Sequence, residues 1–214
     1  MIVSLHTTAR LFRAQRWASV VLCPLVLALL ACNAAPQVDT SPLDQPGLFT
    51  NADQLREFDL AQQEVQQIAL ARQAGVTEED CVELIRLARR RGQPFTDGEA
   101  IAGLMRTGFP EPSVMVLARL DQLGIHAGEA QAMKLAGLSD EIVLAVARRR
   151  NAGQTVLSSY KAAELRNAGL NNAQILSYVT RGTTDAQADA IIAQRNRAAG
   201  GSRFVRQQGT RRRR

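Results

Sequence analysis

Four glycines restrict what this chain can fold into more than any other feature. Gly75, Gly108, Gly137 and Gly169 are spaced 33, 29 and 32 residues apart, and the sequence repeats around them. A small residue stands before each (Ala74, Thr107, Ala136, Ala168) and an apolar one after (Val76, Phe109, Leu138, Leu170). Four residues before the glycine come Ala71, Leu104, Met133 and Leu165. Six after come Cys81, Val114, Val143 and Ile175; nine after, Leu84, Leu117, Val146 and Tyr178; ten after, Ile85, Ala118, Ala147 and Val179. Offsets of six, nine and ten fall on one face of an α-helix.

Each column has a physical reading. A glycine ends a helix in left-handed backbone at least cost, because it has no Cβ. Two residues later Thr77, Ser139 and Asn171 suit an N-cap, whereas Pro110 does not, and Glu111 and Pro112 open that helix. The acids that follow, Glu78 to Asp80 and Asp140-Glu141, complement the helix dipole in the first turn. Each unit is then a helix, a glycine turn and a second helix, with links near Gly92, Gly124, Gly153 and Gly182. The pattern predicts nine helices, over 51–74, 78–91, 97–107, 111–123, 127–136, 140–151, 158–168, 172–181 and 184–198. Nothing alternates at period two, so no strand is expected. One hairpin buries too few apolar side chains to offset the entropy of ordering it, so neighbours must share a core. The expected fold is all-α, a stack of about four helical hairpin repeats over 51–198. With aromatics at 4%, its core must be built from Leu, Val, Ile, Met and Ala.

The start of the chain has another character. Arg10, Arg13 and Arg16, with no acid, precede an apolar run from Trp17 to Leu30. That run is shorter than the ~20 residues of a bilayer span, and Pro24 interrupts it. This is the layout of a secretory signal. The segment Leu29-Leu30-Ala31-Cys32 resembles a bacterial lipobox. The resemblance implies cleavage before Cys32 and acylation of that residue; Cys23 follows Leu22 instead of a small residue. An uncleaved anchor and cleavage without lipid are the other readings. The expected layout is a signal peptide over 1–31, a flexible tether over 32–50 with three prolines, the repeat domain, and a disordered Arg-rich tail over 199–214. The expected location is the bacterial cell envelope, facing the periplasm, and Asn33 after the cysteine favours the outer membrane over the inner.

Segments such as Leu135-Ala-Gly-Leu-Ser-Asp-Glu-Ile-Val143 and Leu165-Arg-Asn-Ala-Gly-Leu-Asn-Asn-Ala-Gln-Ile175 resemble a short helical repeat of bacterial lipoproteins and envelope proteins. Its pattern is roughly Leu-x-x-Ala-Gly-(Val/Leu)-Ser-x-x-(Val/Ile). The likeness covers about Ile68 to Arg181 and implies a helical fold in an envelope setting, with no catalytic residues.

Charge is unevenly spread. The formal net charge is +6. Without the three leader arginines it is +3, and without the eight arginines of residues 195–214 the body is at −5. A nucleic-acid-binding domain carries its positive charge on the folded surface, so helix-turn-helix-like binding is disfavoured. The tail arginines Arg203, Arg206, Arg211, Arg212, Arg213 and Arg214 suit contact with anionic lipid or another polyanion.

Side chains suited to catalysis are sparse. His126 is the only histidine after the leader, and no second His or Cys stands at metal spacing. Cys81 occupies a column of Val and Ile, which predicts a small core residue over a thiol nucleophile. Arg89 to Arg91 and Arg148 to Arg150 end helices, where cations complement the dipole. No cofactor, metal or reaction is implied. The expectation is a membrane-anchored protein with a protein partner in the envelope, the alternatives being a nucleic-acid binder or a Cys81 enzyme.

Overall fold

The computed structural model describes residues 38–50 and 52–211, with side chains as far as Ala198. The described chain is all-helical: α1 (Asp53–Arg56), α2 (Gln62–Gln73), α3 (Glu78–Arg90), α4 (Gly98–Arg106), α5 (Glu111–Arg119), α6 (Ala127–Leu135), α7 (Asp140–Asn151), α8 (Ser159–Asn167), α9 (Asn172–Arg181) and α10 (Asp185–Arg211). No strand occurs among the described residues.

The helices form two rows. Helices α2, α4, α6, α8 and α10 pack side by side in chain order, and α3, α5, α7 and α9 do the same. The rows are joined because α2 touches α3, α4 touches α5, α6 touches α7 and α8 touches α9. The apolar columns meet between them. All members are buried except Tyr178, which is half-buried.

The turns within the pairs share one geometry. Gly75, Gly108, Gly137 and Gly169 all have positive φ, 107° at Gly75 and 79–86° at the others. At Gly75 the amide of Val76 donates to the Ala71 carbonyl and that of Gly75 to the Arg72 carbonyl, and the same two bonds recur at the other three glycines. This pairing satisfies helix-end carbonyls, and the apolar residue after the glycine folds back onto the helix it ends. That is why Val76, Phe109, Leu138 and Leu170 are all buried.

The links use the same turn, with one difference from the sequence expectation. Gly92, Gly153 and Gly182 are left-handed, but in the second link the left-handed residue is Asp121, at φ 58°, and not Gly124. Accordingly α5 stops at Arg119, short of the expected 123. Aspartate tolerates this backbone better than most residues, and its carboxylate here forms an ion pair with Arg91, Nη1 to Oδ1 at 3.0 Å.

Three further boundaries are corrected. The helix expected over 51–74 is two helices, α1 and α2, broken at Asp59 with φ 48°. The break is held by Glu64, whose Oε2 accepts from the amide of Ala61 at 3.0 Å and so caps α2. The expected tether ends sooner than 50. Residues 41–44 form a 3-10 turn that packs on α2, and Leu43 is buried with Leu55. Arg72 Nε ties this segment down by donating to the Leu48 carbonyl. The stretch expected to be unfolded from 199 is helical backbone as far as Arg211, continuous with α10. Residues 1–31, read from sequence as a signal peptide, Cys32, the residues as far as 37 and Arg212 to Arg214 lie outside the described residues.

Neighbouring helices of a row can close only where side chains allow it. Gly98, at the start of α4, lies against the backbone of Gln67 on α2, and a Cβ there would overlap the Gln67 carbonyl. The neighbouring amide of Glu99 donates to Gln67 Oε1 at 3.0 Å. Small size at residue 98 thus sets how closely α2 and α4 approach.

Candidate functional site

The ionisable groups singled out from sequence do not converge. Cys81 lies in the core with no exposed surface. Burial pushes its thiol up to about 12, and the positive charge of Arg72 offsets this only in part. A thiol in that state is neither a nucleophile nor a metal ligand at neutral pH. The reading of Cys81 as a core residue agrees with its place, and that of a Cys81 enzyme loses its physical basis.

His126 stands at the N-cap of α6, with Nδ1 3.7 Å from Glu129 Oε2. That carboxylate is already engaged by Arg150 Nη2 at 2.6 Å, and Arg150 Nη1 donates to Gln122 Oε1 at 3.3 Å. The group closes the link end of the α6–α7 hairpin.

The α2–α3 hairpin carries a stronger version. Glu64 is buried, and Arg89 donates to both of its oxygens, while the amide of Phe95 donates to Oε1 at 2.8 Å. Burial raises the Glu64 carboxyl, but the bonds from Arg89, Phe95 and Ala61 outweigh it and hold the group below the usual carboxylate range. Arg89 and Arg150 occupy the same place, three residues before the left-handed residue that ends their helix. Glu64 and Glu129 are each the third residue of the preceding helix. The helix-end arginines read from sequence as one class are therefore several. Arg89 and Arg150 clamp hairpins, Arg91 pairs with Asp121, Arg149 donates to the Thr155 and Thr180 carbonyls, and Arg148 is exposed.

An open groove of about 460 Å³ runs along this edge, bordered by Arg91, Asp97, Asp121, Gln122 and His126. Burial pushes the Asp97 carboxyl up; Arg91 opposes the rise and Asp121 adds to it. Arg91, Asp121 and Gln122 are spent on each other's neighbours, in the contacts above. Among the described residues no three of His, Cys, Asp and Glu stand close enough to share a metal ion. Among them, too, no helix is long and apolar enough to cross a membrane.

Cys32 and Arg212 to Arg214, expected to act at the membrane, lie outside the described residues. Arg203, Arg206 and Arg211 fall on the backbone of α10. What sequence reasoning missed is the outer face of the second row, where an exposed arginine recurs at one fixed place in α3, α5 and α7 and an exposed glutamate at another in α3 and α7; the alignment on the glycines contains that signal. No family model matches the chain, and neither the curated proteins nor the solved structures gave a match.

Proposed function

We propose that this is a lipid-anchored protein of the bacterial envelope whose domain is a stack of helical hairpin repeats serving as a non-enzymatic interaction module. The reading is carried by the fate of the ionisable side chains. The buried ones, Glu64 and Cys81, are committed to the fold or held neutral, and the remaining charges lie on broad helical faces. Broad faces of stacked helix pairs are binding surfaces.

The repeat reading is supported by the recurrence of one turn geometry at Gly75, Gly108, Gly137 and Gly169 and by the buried columns aligned on them. The anchor is supported by Leu29-Leu30-Ala31-Cys32 after an apolar run. Each buried methylene of an acyl chain contributes ~0.8 kcal/mol to membrane affinity, so several chains on Cys32 would hold the domain at a bilayer. The basic C-terminal segment would add a contact with anionic lipid or another envelope polyanion.

The test is metabolic labelling with a palmitate analogue, with and without globomycin, in cells making the full chain or its Cys32→Ser variant. Label in the full chain only, and an unprocessed precursor with globomycin, are expected. Unchanged processing in globomycin would remove the anchor. Crosslinking in whole cells should then join the domain to a protein partner in the envelope, and an absence of any crosslinked protein would remove the interaction role.

A further inference from the structure

The charges on the outer row of helices are arranged as two bands. Many charged side chains of the domain are engaged in pairs such as Glu64–Arg89 and Glu83–Arg90. Glu79, Glu141, Arg86, Arg119 and Arg148, on the second row, are instead exposed, with no ion pair or hydrogen bond from their side chains to any described residue. Glu79 and Arg119 feel only the longer-range field of Asp80. Counted from the glycine of its own hairpin, each of the three arginines stands eleventh and each of the two glutamates fourth. Fourth, eighth and eleventh positions form one stripe of a helix. At the eighth, Val116 on α5 and Ala145 on α7 are half-buried, and Glu83 on α3 is paired with Arg90.

These stripes lie side by side. Helices α3, α5 and α7 pack in that order, and each runs from a glycine turn to a link. Neighbouring stripes are then ~8–10 Å apart. The acidic end, Glu79 and Glu141 with Pro112 in their place on α5, lies toward the helix starts, and the basic band ~10 Å further along, seven residues at ~1.5 Å each. Between them lie Val116, Ala145 and, on α3, Glu83 held by its own Arg90.

A face with acids at one end and arginines at the other, as on α3 and α7, complements itself when turned over. We propose that this face docks on the same face of a second copy of the chain, about a two-fold axis that crosses the three helices at the level of Val116 and Ala145. Each helix then meets its own counterpart antiparallel. Glu79 comes opposite Arg86 of the second copy, Glu141 comes opposite its Arg148, and Val116 meets Val116; Glu83, its charge matched by Arg90 of its own chain, meets Glu83, and Arg119 meets Pro112. An anionic membrane is a poorer occupant, because it would meet the glutamates as well as the arginines. Self-complementarity of this kind is what an isologous dimer requires.

The inference rests on the reading of the domain as an interaction module and names its partner. To test it, the full chain is purified in detergent from the cells that make it and its mass measured by sedimentation equilibrium. The wild type should be a dimer that weakens with salt. An Arg86→Glu/Arg148→Glu variant and a Glu79→Arg/Glu141→Arg variant should each self-associate at least ~10-fold more weakly, since like charges then face each other. Mixed in equal amounts, the two should form a heterodimer, because both facing pairs regain opposite signs. A fold defect would not be rescued by mixing. Val116→Cys should form a disulfide between copies on mild oxidation. A monomeric wild type, variants that dimerise as tightly as the wild type, or a mixture without heterodimer would each overturn the inference. So would a monomer whose arginines bind vesicles containing phosphatidylglycerol. A monomer that still crosslinks to a different envelope protein would overturn it while leaving the interaction module standing.

Discussion

Arg89 grips Glu64 with both arms of its guanidinium, Nη1 to Oε1 at 2.7 Å and Nη2 to Oε2 at 2.9 Å. The carboxylate also accepts from the amides of Phe95 and Ala61. One side chain thereby joins α2, α3 and the start of the next link. Glu64→Gln cannot reproduce this, because its amide nitrogen must face a donor. One backbone amide is left without a partner, at about 1–3 kcal/mol. The pH dependence has a definite sign. The Glu64 carboxyl is held below its usual range in the fold. Its contribution is therefore present above the unfolded value of about 4.3 and is lost as pH falls through the folded value. Urea unfolding should show a lower midpoint for the variant at pH 7, with the gap narrowing in acid. Equal midpoints at pH 7 would contradict the clamp.

Two glycines in the first row should respond oppositely to alanine. Gly98→Ala drives a Cβ into the Gln67 backbone and forces α2 and α4 apart, at a cost of about 1–3 kcal/mol or more. Gly128, on α6, has no atom within 4 Å of its Cβ site and no positive φ. Gly128→Ala should stabilise by about 0.4–1 kcal/mol through the unfolded chain. Thermal melts of the two variants decide the matter by the direction of their shifts.

Asp80 presents a local conflict. Burial raises its carboxyl, and so do a hydrogen bond and the charge of Glu111 on the next helix of the row. A raised acid contributes stability below its unfolded value and loses it as pH rises through the folded one. Asp80→Asn should thus be more stable than the wild type at pH 7 by less than about 1 kcal/mol, with the difference vanishing near pH 3. A destabilised variant at pH 7 would show that the helix dipole outweighs Glu111.

Cys81 should be silent to alkylation in the folded protein. It is fully buried and its thiol is pushed up to about 12. Iodoacetamide followed by mass spectrometry should modify it only after urea unfolding. Rapid labelling of the native chain would reopen a chemical role for this residue.

Much of the fold is legible in the sequence because the helix-ending turn is local chemistry. Gly75 and Val76 announce it in two residues, a backbone that favours glycine followed by an apolar side chain to fold back. The same logic misled at Gly124. Asp121 takes the left-handed position there, and its suitability depends partly on Arg91, a partner 30 residues earlier. The break at Asp59 was hidden for a similar reason. Ala61 gives no capping signal, and what caps α2 is Glu64, whose role depends on Arg89 and Phe95. Leu43 and Phe49 read as parts of a polar tether because their packing partners lie far along the chain. The arginines of 89–91 and 148–150 look alike as a sequence, and only tertiary contacts separate the clamps from the exposed Arg148.

The shared turn geometry also bears on how this domain assembles. Each reversal at Gly75, Gly108, Gly137 and Gly169 brings together residues close in the chain, so loop closure is short and folding should be fast for its size. Contacts between rows are made within a hairpin, and contacts along each row with the next hairpin. Order can then spread hairpin by hairpin, and fraying can begin at an end without dissolving the middle.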